Sequence, residues 1–123
     1  MIGYTTIGTN DMARASAFYD ALFAELGAKR LMEFGPNFIG YGTSPAKPMF
    51  CICKPHDGKE ARHGNGNMIA LAVKDPAQAD ALHAKALSLG ATDEGAPGLR
   101  GKTFYCAYVR DLDGNKLNLF CMV

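Results

Sequence analysis

The sequence predicts an α+β domain built from two tandem βαβββ modules. Three observations carry this: an internal repeat, a capped helical pattern in each copy, and three short strand-like runs after each helix. TIGTNDMARASAF, from Thr6, lies over ALAVKDPAQADAL, from Ala70, at a constant offset. That offset sets Asp11 over Asp75, Ala13 over Ala77, Ala15 over Ala79 and Ala17 over Ala81, and Phe18 meets Leu82. LGA at Leu26–Ala28 then matches LGA at Leu89–Ala91 after the loss of one residue, so both copies end their helices alike.

Each element has a local reason. GYTTIGT alternates and MIALAV runs apolar, as strands do, and Asn10 or Asp11 in one copy and Asp75 in the other are helix-capping residues, with Pro76 placed for the first helical position. The predicted helices, about Met12–Leu26 and Pro76–Leu89, carry Ala15, Phe18, Leu22 and Ala79, Leu82, Ala86 at spacings of three and four. Gly27 and Gly90 are the expected left-handed stops. The following strands are Ala28–Glu33, Phe38–Tyr41 and Met49–Lys54 in the first copy, and Ala91–Glu94, Phe104–Val109 and Lys116–Met122 in the second. The polar, glycine-rich KPHDGKEARHGNGN joins them, giving one domain over 1–123 with module one at about 1–55, a linker at about 56–66 and module two at about 67–123.

Composition excludes several classes. The net charge of +1 comes from interspersed charges with no basic stripe, which argues against a nucleic-acid partner. No apolar run reaches bilayer length, and MIGYTTIGTND lacks a signal peptide's basic start and apolar core, so a cytoplasmic protein without a membrane partner is expected. Cys51, Cys53, Cys106 and Cys121 lie in apolar strand-like runs and read as reduced, buried thiols. His83 falls on a helix, and His56 and His63 fall in the linker without an aligned acidic partner. Absent are a G-x-S-x-G elbow, a phosphate-cradling loop and an obvious Cys-His nucleophile pair.

Over nearly its whole length the chain resembles the vicinal oxygen chelate superfamily: glyoxalase I, the extradiol dioxygenases, and the fosfomycin and bleomycin resistance proteins. The resemblance rests on IGTNDMARASAFYDALFAELG, on EGAPGLRG and on the closing YVRDLDGNKLNLF, which is similar to that family's D-P-D-G-N-x-[IL]-E-L ending. It implies a curved mixed sheet around a cleft, within one chain or across a swapped homodimer, where metal-using members bind a divalent ion through His, Glu or Gln.

The corresponding positions here carry other groups. Where such relatives place histidine on the first strand stands Tyr4, and the repeat pairs it with Met68. Neither a protonated phenol nor a thioether suits a hard cation. The glutamate of the last strand is replaced by Asn118, whose amide carries no charge, and the less surely aligned Met49, Phe50 and Cys51 supply no hard ligand. No metal and no other cofactor is therefore expected.

Strand alternation puts Leu117, Leu119 and Cys121 on one face and Lys116, Asn118 and Phe120 on the other, toward the cleft. It adds Tyr4, Thr6, Cys51, Met68, Ala70 and either Tyr105 or the Phe104 and Tyr108 face. The substrate-binding set is thus Tyr4, Thr6, Cys51, Met68, Ala70, Tyr105, Asn118 and Phe120, suited to an uncharged or amphipathic small molecule and, lacking acidic groups, poorly suited to cationic bleomycin. Arg100 in GAPGLRGK could reach the cleft mouth and meet a carboxylate or phosphate, but an exposed arginine beside glycines reads first as solvated, and no function is rested on it. The expectation is a metal-free small-molecule binding protein acting as a homodimer. The alternatives are a lyase, isomerase or dioxygenase-type enzyme using displaced ligands or acid/base chemistry at Tyr4 or Tyr105, and an interaction module with a filled cleft.

Overall fold

The computed structural model describes residues 1–123. It forms two compact units, Met1–His63 and Gly64–Val123.

The first unit runs β1 (Tyr4–Gly8), α1 (Met12–Ala24), β2 (Lys29–Glu33), a single helical turn at Gly35–Asn37, β3 (Phe38–Gly42) and β4 (Met49–Cys53). Asp11 caps α1 by accepting from the Arg14 amide at 2.9 Å. Gly27 follows the helix at φ 68°, a conformation that costs a β-carbon-bearing residue about 1–2 kcal/mol. The sheet order is β1-β4-β3-β2, with β1 parallel to β4 and the other pairs antiparallel.

One face of this sheet carries α1. Its buried Phe18, Tyr19, Leu22 and Phe23 meet Tyr41 and Phe50, and the Tyr19 ring lies 4.9–6.3 Å from those of Phe18, Phe23, Tyr41 and Phe50. Tyr41 keeps a polar end in this core by donating to Asp20 Oδ1 at 2.9 Å, and burial together with that carboxylate pushes its phenol far above the ordinary range. Arg30 grips Asp20 with both ends of its guanidinium, at 2.8 and 2.7 Å, holding the Asp20 carboxyl below the usual carboxylate range. The Asp20 contribution to stability is therefore complete above about pH 4 and is lost as pH falls through the lowered value. The side chains are 36% and 43% exposed and solvent screens them, so the loss amounts to less than about 1 kcal/mol. An acid titration of the melting temperature is expected to flatten in Asp20→Asn.

The second unit repeats the plan with β5 (Ile69–Ala72), α2 (Pro76–Ser88), β6 (Thr92–Arg100), β7 (Phe104–Arg110) and β8 (Lys116–Met122). Its order is β5-β8-β7-β6, again with only the first pair parallel. Asp75 caps α2 through the Gln78 amide at 2.8 Å while the Gln78 side chain accepts from the Lys74 amide, also at 2.8 Å. Ala79, Leu82 and Ala86 of α2 are buried, as are Ala107, Val109, Leu117 and Leu119 of β7 and β8. Buried His83 is accounted for structurally: its Nε2 lies 3.0 Å from Asp93 Oδ1.

β6 is longer than the sequence suggests. The expected strand stops at Glu94, yet the pairing with β7 continues to Arg100 through two register shifts, one between Asp93 and Gly95 and one between Gly95 and Gly98. At the other end of β7, Asp111 builds the turn into β8. Its Oδ1 accepts from the Asp113 and Asn115 amides at 2.9 and 2.8 Å, and its Oδ2 accepts from Asn115 Nδ2 at 3.0 Å.

Candidate ligand-binding faces

Each sheet has a face opposite its helix. In the first unit Phe50 stacks with the α1 aromatics, so its strand neighbours Met49 and Cys51 point the other way. The parallel register pairs Tyr4 with Met49 and Thr6 with Cys51, which puts Tyr4 and Thr6 on that same helix-free face. Gly40 is opposite Cys51 on β3, and a β-carbon there would meet the Cys51 sulfur at 3.3 Å. Burial pushes the Cys51 and Cys53 thiols up, so neither is poised as a thiolate nucleophile. Tyr4 also borders a shallow depression of about 190 Å³ with Met32, Phe34, Phe38 and Met49. Met32, Phe34 and Phe38 went unforeseen because they come from β2, β3 and the connection between them, whose pairing no local pattern reveals.

In the second unit the register pairs Asn118 with both Ala70 and Tyr108, and Phe120 with Cys106. Since Leu117 and Leu119 belong to the buried layer, Asn118, Phe120, Ala70, Cys106 and Tyr108 occupy the helix-free face. The Phe104 and Phe120 rings lie 5.5 Å apart there. Met68 immediately precedes β5 and is 43% exposed.

Tyr105 goes to the other side, which corrects its inclusion with Asn118. It pairs with Cys121, on the helix-facing parity, and its hydroxyl donates to Asp80 Oδ1 of α2 at 2.6 Å. The Asp80 carboxylate raises the Tyr105 phenol above its ordinary range and engages its proton. Of the two sets that alternation allowed, Phe104 and Tyr108 are the ones beside Asn118 and Phe120.

Asn118 is only 3% exposed, and its Oδ1 is buried without a hydrogen-bond partner. A buried acceptor in that state costs about 1–3 kcal/mol. The groups at Tyr4, Met68 and Asn118 are a phenol, a thioether and a neutral amide, and nowhere does the chain gather three or more His, Cys, Asp or Glu side chains that could hold a metal. None of the side chains at those three positions brings a charge that would hold a hard divalent ion.

The sequence profile of the Glyoxalase/Bleomycin resistance protein/Dioxygenase superfamily matches residues 1–119. The chain belongs to that superfamily. Among solved members of the superfamily, a glyoxalase/bleomycin resistance protein from Albidiferax ferrireducens T118 is 39% identical, with a TM-score of 0.88 over 98% of this chain and 97% of that one. A glyoxalase/bleomycin resistance protein/dioxygenase family enzyme from Burkholderia phytofirmans PsJN is 24% identical, with a TM-score of 0.80 over 98% of both chains. A lactoylglutathione lyase from Agrobacterium tumefaciens is 19% identical, with a TM-score of 0.71 over 98% of this chain and 92% of that one. These last two share the superfamily fold. No curated protein sequence matches the chain. No helix is long and apolar enough to cross a membrane.

Proposed function

We propose that this superfamily member binds an uncharged or amphipathic small molecule on the helix-free face of its second sheet, without a metal ion. The observation that supports the reading is Asn118: a buried amide oxygen with no donor, beside Tyr108 and Ala70, is an acceptor held ready for a ligand N–H or O–H. The phenyl rings of Phe104 and Phe120 and the Tyr108 ring offer apolar surface next to it. Tyr4, Met32 and Phe34, exposed together around one depression of the first unit, support assembly as a homodimer.

The test has two parts. Protein purified without chelator is expected to carry substoichiometric metal and to show no thermal shift with Ni, Mn, Zn or Fe; a bound equivalent of metal with turnover overturns the reading. In a thermal-shift screen of small amphiphiles, Asn118→Leu is expected to melt higher than the parent, because the orphaned acceptor and its cost of about 1–3 kcal/mol are gone, and to lose affinity for the hits. A lower melting point with unchanged affinity assigns Asn118 to the protein's own stability and defeats the proposal.

A further inference from the structure

Two cations, Arg100 and Lys116, lie on the helix-free face of the second sheet without a carboxylate partner, unlike Arg30 and Arg110. Arg30 is paired with Asp20 and Glu33, and Arg110 with Glu94. Arg100 and Lys116 form no ion pair; instead the Arg100 guanidinium carbon lies 6.0 Å and the Lys116 Nζ 5.2 Å from the centroid of the Tyr108 ring. Tyr108 is the cross-strand partner of Asn118, so both charges lie near the unsatisfied amide.

The glycines of EGAPGLRG hold this arrangement. A β-carbon at Gly95 would stand 3.0 Å from the Tyr108 ring and 3.5 Å from Arg100 Nη2, and one at Gly98 would stand 3.1 Å from Arg100 Nη1. The guanidinium therefore lies across bare backbone, tied down by Nη2 donating to the Ala96 carbonyl at 2.8 Å. It is exposed, fixed and uncompensated, the state in which an arginine meets an anion without first losing a partner.

We infer that the ligand of this face is an anionic amphiphile: a flat apolar body against Tyr108 and Phe120, a donor hydrogen for Asn118 Oδ1, and a carboxylate- or sulfonate-like group met by Arg100 and Lys116. This rests on the proposed ligand-binding role of the same face and adds the sign of the ligand's charge.

Two fluorescent probes with one skeleton test it. Anilinonaphthalene sulfonate carries an N–H donor and an anionic group, and phenylnaphthylamine carries the donor alone. At low salt the sulfonate is expected to bind about twentyfold more tightly, a preference that shrinks as salt is added. Arg100→Gln and Lys116→Gln are each expected to reduce the preference about fivefold, with an unchanged melting curve reporting that the second unit is still folded. Asn118→Leu is expected to weaken both probes alike. Equal affinities, or a preference that survives the double Gln variant, overturn the anionic assignment alone. Failure of both probes to bind overturns the ligand-binding reading itself.

Discussion

Replacing Tyr19 by alanine is expected to remove about 3–5 kcal/mol of stability. The side chain is 1% exposed and its ring touches those of Phe18, Phe23, Tyr41 and Phe50, so truncation opens a cavity at the centre of the first unit's aromatic layer. The four rings cannot all close the gap, because Phe18 and Phe23 are fixed on α1 while Tyr41 and Phe50 are fixed on adjacent strands. Domains of this size have about 5–15 kcal/mol in total, so urea denaturation is expected to show a large fall in midpoint. Lys59→Ala, at an exposed position in the segment joining β4 to β5, is the matching control and is expected to change stability by no more than about 0.5 kcal/mol.

Asp111→Ala is expected to cost about 3 kcal/mol, for a different reason. Asp111 is 5% exposed, and its two oxygens accept from the Asp113 and Asn115 amides and from Asn115 Nδ2; alanine removes all three of these bonds. The loss reaches beyond stability, because this turn sets the register of β8 against β7. A slip of one residue would carry Asn118 to the helix side and bring Leu117 or Leu119 out in its place. Denaturant unfolding together with hydrogen exchange of the β8 amides checks both consequences. Asp111→Asn, which keeps one acceptor oxygen, is expected to fall between alanine and the parent.

What the sequence makes legible here is what is decided within a few residues. The caps at Asp11 and Asp75 and the stops at Gly27 and Gly90 each satisfy backbone groups close by in the chain, so their residue types announce them. The repeat then supplies the order of elements. The face of Tyr105 belongs to another class of fact: alternation says only that Tyr105 opposes Phe104 and Tyr108, and it takes the pairing with Cys121 and the bond to Asp80 to say which side is which. β6 was foreshortened because glycine ordinarily ends strands, while Gly95 and Gly98 are there for what lies over them. Asn118 was legible as an oddity from its spacing, and the structure adds that its oxygen goes unanswered within the chain.

The arginine laid across Gly95 and Gly98 has a consequence for how binding responds to acidity. No carboxylate stands against Arg100 to be neutralised or released. Tyr108 beside it is held above its ordinary range, chiefly by its contact with Cys106, and so stays neutral. On the proposed reading, occupancy would follow the ionisation of the guest: a sulfonate would hold across mild acid, while a carboxylate would be released as its own proton returned.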